Sequence, residues 1–126
     1  MANDDSVMRL RQGAAAWNEW RQAHGDVVLD LSSAHLRGLD LSQTDLSRAD
    51  LRSADLRGTI FRGALLIRAR LDGANLFKAV LDGADLSDAV LDGVLFLNCA
   101  QLMVAKNWET ARRDPSLGCG APIPGG

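Results

Sequence analysis

The sequence predicts an all-β solenoid with helical caps, a chain coiled around an apolar axis. Three observations carry this. Leucine or phenylalanine returns every fifth residue fourteen times, at Leu31, Leu36, Leu41, Leu46, Leu51, Leu56, Phe61, Leu66, Leu71, Leu76, Leu81, Leu86, Leu91 and Phe96. A small residue stands two places before most of them. Both flanks abandon this period for helical spacing.

A step of five suits neither ordinary element. On a helix it advances about 500°, so successive leucines fall ~140° apart and form no stripe. On a flat strand an odd step sends alternate leucines to opposite faces. All of them point inward only if the chain turns between one leucine and the next. The neighbouring positions agree. Alanine fills nine of the fourteen places two before the apolar residue, with Thr44, Thr59 and Val94 as moderate substitutes and Leu29 and Leu39 as large ones. The residue just before the leucine is often Asp or Asn, as at Asp30, Asp55 and Asn75. Glycine recurs two places after it, as at Gly58 and Gly73, where a tight corner needs positive φ.

The flanks read as covers for the exposed ends of the coil. Residues 5–24 read as one amino-terminal helix, because Val7, Leu10, Ala14, Trp17 and Trp20 follow helical spacing. Asp4, Asp5 or Ser6 caps its start and Gly25 ends it. Residues 101–113 read as a short carboxy-terminal helix stopped by Pro115, with Val104, Trp108 and Ala111 on one face. Residues 114–126, rich in glycine and proline, read as a mobile tail. The whole, residues 1–126, is expected to be a single domain.

The units between residues 29 and 98, such as Ala49–Ser53 (ADLRS) followed by Ala54–Gly58 (ADLRG), resemble the pentapeptide repeat family, whose consensus is A(D/N)LXX. Segments Ala16–Trp20 (AWNEW) and Ala105–Pro115 (AKNWETARRDP) are similar to terminal segments of bacterial members. The resemblance implies a right-handed quadrilateral β-helix with four pentapeptides per coil, hence about three and a half coils. At ~4.8 Å per stacked strand such a barrel is roughly 17 Å tall.

The net charge of −2 argues against nonspecific binding to nucleic acid or membrane. The amino-terminal residues show neither a basic region nor an apolar run, so no signal peptide is expected, and no segment is apolar enough to span a bilayer. Cys99 falls on the inward alanine register and Cys119 in the tail, so both are expected as free thiols of a cytoplasmic protein. His24 and His35 are the only histidines. No residues have metal-ligand spacing, and there is no nucleophile elbow, phosphate loop or dinucleotide fingerprint. An axis filled with leucine leaves no obvious pocket. The expectation is a protein that is not an enzyme, without metal or cofactor.

With four units per coil, residues twenty apart lie above one another. Arg52 over Asp72 and Arg62 over Asp82 are then expected as ladder ion pairs. Arg37 lies over Arg57, an arrangement suited either to an acidic partner or to a solvated pair relieved by Asp55. Below them Phe77 and Leu97 point outward, beside Leu95. Ile60 stacks over Val80, and Leu65 and Ile67 share one unit. Contiguous exposed apolar surface marks a contact. That contact is either the carboxy-terminal helix folded over Phe77 and Leu97, or a dimer or partner surface. The candidate partner surface is therefore Phe77, Leu95, Leu97, Ile60, Val80, Leu65, Ile67, Arg37 and Arg57.

Three functions fit such a chain. The first is a non-enzymatic interaction or scaffold module for an unidentified protein partner, with a homodimer as one form. The second follows from a family-level resemblance to quinolone-resistance pentapeptide proteins, which imitate duplex DNA and bind DNA gyrase. That reading needs a strongly acidic face, whereas the repeats hold ten acidic residues against eight basic ones. The third is an accessory module of a larger signalling or defence assembly, docking through its flanking helices.

Overall fold

The structure is a computed structural model that describes residues 4–125. Leu31 and every fifth residue to Leu91 are buried, and the alanines two places before them are buried with them. The two threonines that replace alanine satisfy their hydroxyls internally: Thr44 Oγ1 donates to Leu41 O at 2.7 Å and Thr59 Oγ1 to Leu36 O at 2.8 Å.

Parallel bridges join residues twenty apart, in the columns Asp30–Asp50–Arg70–Val90, His35–Asp55–Asn75–Leu95, Asp40–Ile60–Val80 and Asp45–Leu65–Asp85. A turn of twenty residues made of five-residue units has four sides, which begin at residues 29, 34, 39 and 44. Each side contributes one bridging residue per coil, so the ladder is a stack of single rungs and not of long strands. Backbone hydrogen bonds run between coils, such as Leu51 N–H to Arg70 O at 2.7 Å, and across corners, such as Ala54 N–H to Leu51 O at 3.1 Å.

The corners explain the consensus. The residue two after each inward leucine has positive φ, at Gly73 (68°) but also at Arg68 (58°), Lys78 (59°) and Asp88 (55°). Only glycine adopts this region without strain. The Asp/Asn before the leucine acts locally: its Oδ1 accepts the backbone N–H two residues on, as from Asp30 to Ser32 (3.1 Å) and from Asn75 to Phe77 (3.1 Å).

Five expectations are corrected here. The helix read over 5–24 is two helices, α1 (Asp4–Leu10) and α2 (Ala14–Ala23), because Gly13 takes φ 104° and breaks the hydrogen-bond run. No helix spans 101–113. Instead α3 (Cys99–Leu102) opens with a reciprocal cap between Asn98 and Gln101. The chain then continues the ladder through Asp85–Lys106 and Val90–Arg112, at offsets of twenty-one and twenty-two residues, with a short 3-10 turn at Trp108–Thr110 between them. Phe96 does not join the axis. Its φ of 60° swings it outward to 67% exposure, and Leu97 packs partly against the core instead. The cysteines are not free: Cys99 and Cys119 form a disulfide. The segment read as mobile is thereby tied down at Cys119 and by hydrogen bonds from Arg113 to the carbonyls of Ala121 and Pro122, with Leu117 buried in a second 3-10 turn, Pro115–Leu117; residue 126 lies outside the described residues.

Both ends of the column are closed in the same chemical way. At the amino-terminal end Trp17 Nε1 donates to Asp45 O at 2.8 Å, while Asn18 donates to Gln43 O and accepts from Asp45 N–H. Arg21, buried, donates to the carbonyls of His24, Gly25, Val27 and Ser47. At the other end the Val90–Arg112 bridge places Arg113 after Leu31, Leu51, Leu71 and Leu91 in the axial column. Arg113 is 3% exposed and donates to six carbonyls, those of Trp108, Glu109, Ala111, Leu117, Ala121 and Pro122. Its guanidinium also lies 5.1 Å from the Trp108 ring centre.

Candidate functional site

The outward flip of Phe96 builds the most distinctive surface feature. Its ring meets Phe77 edge-on, with centres 5.8 Å apart, and Phe77 remains 46% exposed. Beneath this pair, between the second and third sides, lies a groove of about 680 Å³ lined by Phe77, Lys78, Val80, Phe96, Leu97, Gln101 and Val104, among others. The groove exists because the third-side column ends at Val80. Where the next rung would stand, the Gln101 side chain donates to Leu76 O and Ala79 O, both at 3.1 Å. Helix α3 therefore borders the groove but leaves Phe77 uncovered.

Of the surface residues singled out in the sequence, Phe77, Val80 and Leu97 line this groove. Leu95 is 49% exposed on the rung below Asn75. Ile60 bridges Val80 from above, half-buried. Leu65 and Ile67 stand apart on the fourth side, Leu65 bridged to Asp45 and Asp85. Phe96, Lys78 and Val104 complete the groove and were not among the candidates. Phe96 was assigned to the axis by period alone; the signal against it was Leu97 beside it, an equally apolar residue free to take the inward place.

Arg37 is exposed, with no ion-pair partner among the described residues. Arg57 is engaged: its Nε and Nη2 reach Asp55 Oδ1 and Oδ2 at 2.8 and 2.7 Å. These hydrogen bonds, outweighing partial desolvation, hold the Asp55 carboxyl down to about 2. Lys78 Nζ sits 5.4 Å from the Phe77 ring centre. At the top of the same side the exposed Arg11 donates to His35 O at 3.1 Å.

The expected ladder ion pairs do not form. Arg52 turns to Asp50 in its own unit (2.7 Å) and Arg70 to Asp72 in its own (3.2 Å), whereas Arg112 pairs across the coils with Asp92 (3.0 Å). A unit already holds its aspartate beside the following turn, so the nearer carboxylate wins. Asp72 Oδ1 is buried without a hydrogen-bond partner. Burial pushes the Asp85 carboxyl up, but hydrogen bonds from Ser87 and Asn107 outweigh it and leave the group below its ordinary value. Among the described residues no cluster of His, Cys, Asp and Glu could hold a metal ion, and no helix is long and apolar enough to cross a membrane.

The family profile described as pentapeptide repeats matches in eight copies over residues 30–63 and 61–93. A solved structure of HetL, a pentapeptide repeat protein involved in heterocyst differentiation regulation from the cyanobacterium Nostoc sp. strain PCC 7120, is 26% identical, with TM-score 0.33. The alignment covers 69% of this chain, which spans 52% of HetL. A second pentapeptide repeat protein of Nostoc PCC 7120 is 28% identical over 87% of this chain and 95% of its own, with TM-score 0.35. A pentapeptide repeat protein of the Arabidopsis thaliana thylakoid lumen is 30% identical over 64% of this chain and 63% of its own, with TM-score 0.27. Comparison with curated proteins gives no match.

Proposed function

Because the chain belongs to the pentapeptide repeat family, a family of non-enzymatic repeat modules, we propose that it is a protein–protein interaction module that docks a partner at the corner around Phe77. The carrying observation is the groove between Phe77 and Phe96. Two aromatic rings stand exposed at a place where the repeat consensus puts polar residues, and a rigid ladder holds them. Exposed aromatics on a fixed scaffold are strong contact residues because little side-chain entropy is lost on binding.

The finer architecture belongs to the same reading. The coil is right-handed, as in the family, with about three and a half consensus coils and an irregular continuation through residues 105–113. Helix α2 and the carboxy-terminal segment act as caps. The ion pairs Asp50–Arg52, Asp55–Arg57 and Asp92–Arg112 interrupt any continuous negative stripe, which weakens the case for DNA mimicry.

Cytoplasmic placement is part of the proposal, and the Cys99–Cys119 bond weighs against it, since cytosolic reductants keep thiols reduced. Alkylation of the native protein in cell extracts decides the point: labelled thiols favour the cytoplasm, protected ones an oxidising compartment. The docking itself is tested by pull-down from the cells that express the protein, with wild type and Phe77→Asp as baits. Proteins retained by the first and lost by the second support the reading, and identical profiles for two folded baits sink it. Light scattering on the same pair shows whether the partner is a second copy.

A further inference from the structure

The four sides of the coil differ in charge. Through the consensus repeats the second side reads AHLRG, ADLRG, ANLFK and VLFL, with Arg37, Arg57 and Lys78 against Asp55 alone. The first, third and fourth sides each carry more acids than bases over the same residues. Among the described repeat residues the second side is thus the one basic face of a chain whose net charge is −2. The aromatic groove opens at the lower end of that same face.

Resting on the interaction reading above, we infer that the second side binds an extended acidic segment of a partner protein, with one apolar side chain seated between Phe77 and Phe96. The spacing supports this occupant. Arg37, Arg57 and Phe77 stand on successive rungs about 5 Å apart, so the span from Arg37 to Phe77 is roughly 10 Å. An extended peptide rises about 3.3 Å per residue. An acidic residue opposite Arg37 therefore stands about three positions from the apolar anchor. Arg37 has no ion-pair partner among the described residues, and Arg11 extends the cationic strip upward past His35. Lys78 stands beside the groove, where it meets a carboxylate close to the anchor. Asp55 and Arg57 neutralise each other through two hydrogen bonds, so Arg37 and Lys78 supply the cationic contacts of this face. Asp82, the acid among the groove residues, belongs to the third side and disfavours acids beyond the anchor.

The probe is a displayed library of random twelve-residue peptides selected on the intact protein. Enriched sequences are expected to carry two or more acidic residues within four positions of a large apolar one. Synthetic copies should lose at least tenfold in affinity on Arg37→Glu, at least tenfold on Phe77→Ser, and weaken as salt rises. Both substituted residues are exposed, and an unchanged melting curve for each variant certifies its fold. Enriched peptides that are neutral or basic overturn the inference, as does indifference to Arg37→Glu or failure to enrich any sequence. Dependence on Phe77 without Arg37 also overturns the acidic partner, yet leaves the docking corner standing. Failure of the corner itself shows separately, as a pull-down unchanged by Phe77→Asp. Saturable binding of an oligodeoxythymidine probe through Arg37 without Phe77 assigns the strip to nucleic acid and overturns the inference too.

Discussion

Asp55 accepts two hydrogen bonds from the Arg57 guanidinium, and its carboxyl is held at about 2 against an ordinary 3.8. A carboxyl depressed in the folded state contributes stability that is present above its unfolded value and is lost as pH falls through its folded value. The window is therefore about pH 4 down to about pH 2. We expect the melting temperature of Asp55→Asn to lie below that of wild type at pH 6, and the gap to close as pH falls towards 2. A constant gap across that range would remove the assignment. The aspartates before many of the leucines were visible in the sequence, but not their purpose. A repeated Asp shows only that the position is polar. Its role as acceptor for the N–H two residues on appears once the corner geometry is known, as at Asp30 with Ser32.

Legibility falls off where the period of five falls off. The inward leucines and alanines up to Leu91 could be read directly, because only a turning chain buries every fifth residue. Phe96 was harder, since an apolar residue in register looks like core and only Leu97 beside it signals the left-handed φ that ejects it. The carboxy-terminal rungs at Lys106 and Arg112 were hidden by one or two extra residues per coil, which erase the period while the ladder continues. Gly13 carried a signal for the break between α1 and α2, but a helical stripe on both sides masked it. Arg113 shows what closes this element. Six carbonyls take hydrogen bonds from one buried side chain; removing the donors leaves the two buried acceptors, Ala111 O and Leu117 O, at about 1–3 kcal/mol each, while water reaches the four partly exposed ones. Arg113→Met, which keeps bulk and loses the donors, should therefore lower stability by about 3 kcal/mol, read as a drop in the urea midpoint. Arg113→Lys should recover only part, because one ammonium offers three donors.

Over the whole molecule, stability is a sum of coil-on-coil contacts, and what lies at the two ends decides where unfolding begins. The disulfide joins α3 to the tail and closes a loop of twenty residues. A loop of that size contributes about 3 kcal/mol through the unfolded chain. Cys119→Ser should lose about that much in urea unfolding, and the difference should vanish when wild type is measured with a thiol reductant. A variant as stable as the oxidised protein would show that Arg113 alone holds the tail. The cysteine separation of twenty equals one consensus coil, a signal present in the sequence but masked by the assignment of Cys99 to the core.

The offsets of twenty-one and twenty-two residues at the last rungs have one more consequence. A ladder that repeats at twenty is in principle endless, and each finished coil is a template for another, from the same chain or a neighbouring one. Here the register drifts, and the axial column then terminates on a guanidinium whose donors are occupied. A neighbouring chain in a register of twenty finds no matching seam at that end, and on the interaction reading proposed above a partner approaches from the side.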